Sequence, residues 1–112
     1  MIYLEKVAIE CRVIFDTLLQ SSELPSSTGT CLHACILLRE MLYTAGFDNI
    51  KIRGGNGDND GGFFTSEGGY GHYWCEVTRS GLCQIIDITA DQFGYDKILI
   101  INAFSTEWPR YI

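Results

Sequence analysis

Apolar residues recur at intervals of three and four near the start of the chain, at Leu4, Val7, Ala8, Cys11, Ile14, Phe15 and Leu18. That period lays one apolar stripe along an α-helix and predicts a first helix over residues 3–19. A Ser-rich stretch with Pro25 and Gly29 breaks the pattern over residues 21–30. It resumes at Leu32, Cys35, Ile36, Leu38 and Leu42, which predicts a second helix over about residues 30–45. Thr28 or Thr30 would cap its start and Gly46 would end it. Beyond Gly46 the helical period disappears. Residues 50–53, 72–78, 84–88 and 99–103 are short apolar or β-branched runs that predict strands, with a tight turn at Ser80-Gly81 joining the middle two. Residues 54–71 hold eight glycines in eighteen positions and are expected to form a polar loop of the lid type. Helices first and strands after predict an α+β fold, with N-terminal helices packed on an antiparallel β-sheet.

Composition narrows this without redrawing it. At 112 residues the chain is expected to be a single domain, 1–112, and 46% apolar residues favour a packed core over disorder. Eight basic against 14 acidic residues give net charge −6, which argues against nucleic acid or an anionic membrane as partner. No apolar run is long enough to span a bilayer, and the first residues lack the basic-then-apolar pattern of a secretory signal. Five cysteines, odd in number and irregularly spaced, are then expected to be reduced thiols in a cytoplasmic protein.

Three segments carry candidate chemistry. Cys31 falls in the first turn of the second predicted helix, where unpaired backbone N–H groups and the helix dipole favour a thiolate and can hold an oxyanion. Cys35, one turn further, lacks that terminus and reads as core. His72 opens a predicted strand, and Asp87 sits within the apolar run Gln84-Ile85-Ile86-Asp87-Ile88. A two-residue turn at Ser80-Gly81 makes Arg79 face Leu82, Trp74 face Asp87 and His72 face Thr89. His72 and Asp87 are then diagonal neighbours on one side of the sheet. The carboxylate can take a ring N–H, fix the tautomer and leave the other nitrogen for a thiol. Without such a partner an acid in that apolar strand would be costly.

The ordered set Gly29-Thr30-Cys31, His72-Tyr73-Trp74-Cys75-Glu76-Val77 and Asp87-Ile88-Thr89 resembles the transglutaminase-like superfamily, among the papain-like cysteine enzymes. The resemblance covers about residues 28–93. It implies a papain-like, transglutaminase-like core with Cys31 as nucleophile, His72 as general base and acid, and Asp87 as the group orienting His72. It also implies an acyl-enzyme formed on an amide of a protein or peptide, with no cofactor. Relatives include peptidases, amide hydrolases, protein-glutamine deamidases and cross-linking acyltransferases. Hydrolysis by a peptidase or deamidase is favoured, because a small chain offers little surface for a second substrate. This chain departs from the pattern in lacking an assignable side-chain oxyanion donor before Cys31; Gln20 and Gln92 are candidates.

Other classes remain open at this point. A catalytically inactive papain-like binding module would share all these elements. Cys31/Cys35 with Cys75/Cys83 and His33 or His72 would supply zinc ligands for an interaction domain, although no pair has the two-residue knuckle spacing. Asn56, Asp58, Asp60, Gly61 and Glu67 match calcium-loop spacing, but the flanking helices of an EF-hand are not predicted. The glycines lack the Lys-Ser/Thr that a phosphate loop needs. No resident metal is expected.

Overall fold

A computed structural model of the chain describes residues 4–22, 30–57 and 60–112. Among them two helices, α1 (Leu4–Ser21) and α2 (Cys31–Thr44), precede seven strands. The strands are β1 (Ile50–Gly55), β2 (Phe63–Thr65), β3 (Gly68–Tyr70), β4 (His72–Arg79), β5 (Leu82–Asp87), β6 (Leu99–Asn102) and β7 (Arg110–Tyr111). They form a four-stranded sheet in the order β1-β4-β5-β6 and a three-stranded sheet in the order β3-β2-β7, with antiparallel pairing throughout. The fold is α+β, with both helices against one face of the larger sheet.

Each element follows from local chemistry. Helix α1 buries Leu4, Val7, Ala8, Cys11, Phe15 and Leu19. Its buried arc is rotated toward Arg12 and Leu19, so Ile14 and Leu18, expected inside, are 43% and 51% exposed. In α2 only Ala34, Cys35, Leu38 and Leu42 are buried, against α1 and the sheet, and the expected core residues Leu32 and Ile36 face outward. Gly46, at φ +100°, closes that helix as a residue with a Cβ would do only under strain. Of the two expected caps, Thr28 lies outside the described residues. Thr30 holds the N-cap position, but its side chain makes no capping hydrogen bond.

The β4–β5 hairpin turns through Ser80 and Gly81, both at positive φ (51° and 81°), the geometry of the two-residue turn that matches strand twist. Arg79 pairs with Leu82 and Cys75 with Ile86, the register that this turn length dictates. Pairing stops there: β5 ends at Asp87, so the expected pair of His72 with Thr89 does not form, and His72 pairs instead with Gly55.

Alternation along β4 divides the interior in two. Cys75 and Val77 join Ile86, Ile88 and the helices in one core, whereas Trp74 joins Phe63, Ile85 and Tyr111 in a second on the other face. The smaller sheet closes that second face. Residues 54–71 are therefore not the structureless loop expected from their glycines: they hold the end of β1 together with β2 and β3. What builds them is Phe63, fully buried, whose removal from water contributes on the order of 2–3 kcal/mol. Gly62 brings the chain close to β7, exchanging backbone hydrogen bonds with Ile112 at 2.8 and 3.0 Å. Its φ of +145° suits glycine alone, and neither this contact nor β7 was foreseen in the pattern of the sequence.

Candidate active site

Asp87 is the last residue of β5 and 1% exposed. Four donors converge on its two oxygens. His72 Nε2 and the Tyr111 hydroxyl each lie 2.7 Å from Oδ2, and the Thr89 backbone N–H and hydroxyl donate to Oδ1 at 3.0 and 3.4 Å. That fills the acceptor capacity of a carboxylate and offsets the several kcal/mol that burying the ion costs.

His72 is equally buried, and its ring is walled by aromatic edges: Phe93 at 5.0 Å and 89°, Phe63 at 5.5 Å and 84°. The wall excludes water and holds the ring where β4 aims it. Trp74, expected on the same face, stands 6.3 Å away and packs in the second core. The Gln92 amide nitrogen lies 3.1 Å from the Thr89 carbonyl oxygen and 3.3 Å from His72 Nδ1. The carbonyl fixes that atom as nitrogen, because an amide oxygen there would face another oxygen. Gln92 thus offers an N–H to Nδ1, so in neutral His72 Nδ1 accepts and Nε2 carries the proton that Asp87 holds. With Nε2–H committed to Asp87, Nδ1 is the ring atom left to exchange a proton with the Cys31 thiol, and its single lone pair serves either that thiol or the Gln92 N–H.

That thiol is Cys31, the first residue of α2 and half-buried. Burial opposes its ionisation, but a hydrogen bond from His72, the charge of that ring and contacts from the backbones of Tyr73 and Leu32 outweigh it, holding the Cys31 pKa below the usual thiol value. For His72 burial likewise disfavours charge. Hydrogen bonds to Asp87 and Cys31 and the charges of both overcome it, raising the pKa to about 9. The three residues singled out in the sequence are thus brought together, through one imidazole. Gly29, the first residue of the Cys31 motif, lies outside the described residues.

Cys31 belongs to a different environment from the other thiols. Cys35 and Cys75 face the helix-side core, where the Cys75 thiol donates to the Cys35 carbonyl at 3.5 Å. The contact with Cys75, together with burial, drives the Cys35 pKa up, and burial drives that of Cys11 up to about 12. Cys83 lies on the opposite face, with its thiol 3.5 Å from Glu76. The cysteines of the alternative zinc reading are therefore split between two faces, and no three His, Cys, Asp or Glu side chains converge as a metal site among the described residues. The calcium-loop spacing begins after the end of β1 and reaches Glu67 in the β2–β3 turn, so it does not lie between helices; Asp58 lies outside the described residues. Gln20 ends up exposed in the last turn of α1, so of the two oxyanion candidates only Gln92 meets the site.

Two contributors, Tyr111 and Arg12, escaped the sequence reading, and a third, Thr89, was named there without its role. Tyr111 reaches Asp87 from β7, and nothing in a two-residue strand signals that. Thr89 serves as a double donor to Asp87 beyond the end of β5. Arg12, 6% exposed, clamps the turn that carries Gln92: its guanidinium bonds the Ile88 carbonyl at 2.6 Å and both oxygens of Asp91 at 2.8 and 2.9 Å. Arg12 occupies the rim of an apolar stripe, a position where a charge signals a buried partner only once that partner is known. No helix among the described residues is long and apolar enough to cross a membrane. Comparison with models of protein families, with curated proteins and with solved structures finds no match for this chain.

Proposed function

We propose that this chain is a cysteine hydrolase with a papain-like, transglutaminase-like core, acting on a carboxamide of a protein or peptide in the cytoplasm. The observation that carries the reading is the linked set Cys31–His72–Asp87. A thiol with lowered pKa at a helix start contacts one side of an imidazole, and the other side is held by a carboxylate at 2.7 Å. Structural histidines are commonly paired with acids; what marks this one is a half-buried thiol made more acidic than usual on its far side.

In the proposed reaction the Cys31 thiolate attacks the carbonyl carbon, and the oxygen gathers the negative charge. First-turn N–H groups of α2 are the donors suited to receive it. The protonated His72 gives its Nδ1 proton to the leaving nitrogen, and an acyl-enzyme forms on sulfur. Water then loses a proton to Nδ1 and attacks the thioester, which returns the thiol and releases the acid. Asp87 keeps the ring oriented and stabilises its charged form through both steps.

Incubating the protein with mixed Gln-containing peptides, followed by intact-mass measurement, tests this directly. A gain equal to water added less ammonia lost identifies deamidation, fragments identify proteolysis, and adducts between peptides identify acyl transfer. Cys31→Ala must abolish the change. A peptide mixture left intact by the native chain while being retained on it would favour a binding module instead.

A further inference from the structure

The β2–β3 hairpin and the turn after β5 enclose a cleft of about 520 Å³ next to the imidazole. Gln92 is the shared wall: it lines the cleft and its amide lies 3.3 Å from His72 Nδ1. A group lodged there is one side chain away from the reacting centre. Tyr70, Phe93 and Tyr95 bring three aromatic rings to its lining beside Thr65 and Ser66, and Glu67 supplies the only charge among the described lining residues.

The aromatic wall is built in advance of any ligand. Phe93 stacks on the buried Phe63 ring at 4.5 Å and 17°, Tyr95 meets Phe63 edge-on at 5.6 Å, and Tyr70 tilts against Phe93 at 5.4 Å. The turn carrying Glu67 is fixed by its own backbone N–H, which donates to the Thr65 hydroxyl at 3.1 Å. Aromatic rings and a carboxylate lining one cleft suit a long aliphatic stem ending in a cation: the stem packs on the rings, and the head gains the ring quadrupole and the carboxylate. An acidic side chain would meet Glu67 with like charge and find no Lys, Arg or His among the described lining residues to offset it.

We infer that this cleft is a specificity subsite for a lysine or arginine side chain of the substrate. The inference rests on the thiol-enzyme reading and names the substrate class of that same site. No bond is made or broken in the cleft; it contributes by differential binding.

The test uses dipeptidyl chloromethyl ketones carrying Lys, Leu or Glu, either next to the reactive carbon or one residue before it, with alkylation of Cys31 followed by mass spectrometry. In one of the two positions the Lys probe is expected to react about tenfold faster than the Glu probe at low salt, a ratio that shrinks as salt rises. Within Glu67→Gln, the same Lys-to-Glu ratio should drop to about threefold or less. Equal rates for all three probes in both positions, with Cys31 still alkylated selectively by iodoacetamide, would overturn the subsite and leave the enzyme reading standing. A Cys31 that iodoacetamide does not favour over the other thiols would remove the enzyme reading and the subsite with it.

Discussion

Cys31 and Cys35 stand one helical turn apart on α2, and their surroundings drive them in opposite directions. Cys31 lies where the helix begins, against the imidazole of His72 and the backbone of Tyr73, and its thiol is more acidic than usual. Cys35 points into the apolar layer beside Cys75, where its thiol is held protonated. The two faces of the larger sheet repeat the contrast. The helix-side core packs Cys11, Cys35 and Cys75 among aliphatic groups and the rings of Phe15 and Phe47, with no buried acid among the described residues. The opposite face holds Asp87, His72 and Tyr111 inside an aromatic shell. Thiol acidity in this chain is thus set by the helix end and one imidazole, while the same residue type four positions on is ordinary packing.

Substitutions at the two cysteines should separate most sharply. Cys31→Ala is expected to lower turnover by about 10³-fold or more, whereas Cys35→Ala should keep turnover and lower unfolding free energy by about 1 kcal/mol in urea titrations. Asp87→Asn comes next. Its amide cannot accept from all four donors, so alkylation of Cys31 near neutral pH should slow by at least about tenfold and turnover by about 10²-fold or more. Arg12→Leu touches neither cysteine but removes the guanidinium bonds to Asp91 and to the Ile88 carbonyl; a loss of about 2–4 kcal/mol is expected in the same titrations. Tyr111→Phe removes one of four donors to Asp87 and should cost only about 1–2 kcal/mol. An Arg12 variant as stable as the native chain would contradict the clamp.

The pH dependence sharpens the contrast further. Cys31, an acid with a lowered pKa, gains its thiolate as pH rises through a value below the ordinary one. His72, a base with a raised pKa, loses its proton only as pH rises through about 9. Turnover needs both charged forms, so it should rise on the acid side and fall above about 9. Alkylation needs only the thiolate and should show no fall on the alkaline side.

Much of the site was legible because strand parity is strict. Once Ser80-Gly81 is taken as a two-residue turn, His72 and Asp87 share a face whatever else the chain does, and an acid inside an aliphatic strand demands a partner. Cys31 was legible because a helix start has its own chemistry. The smaller sheet was not: β2, β3 and β7 are two or three residues long, and glycine-rich segments carry no period that could announce them. Tyr111 belongs to that sheet, so its bond to Asp87 was hidden with it. The helical stripes were read one edge too wide, since Ile14, Leu18, Leu32 and Ile36 are apolar by type but lie beyond what one sheet face can cover.

Rates of iodoacetamide modification at each of the five cysteines, followed by mass spectrometry from mildly acidic to alkaline pH, bear most directly on the central claim. The account predicts that Cys31 is modified first, at a pH where free thiols are still protonated, and that His72→Ala abolishes that lead. A Cys31 that reacts no faster than the half-buried Cys83 across the whole range, or one whose rate is indifferent to His72, would contradict it.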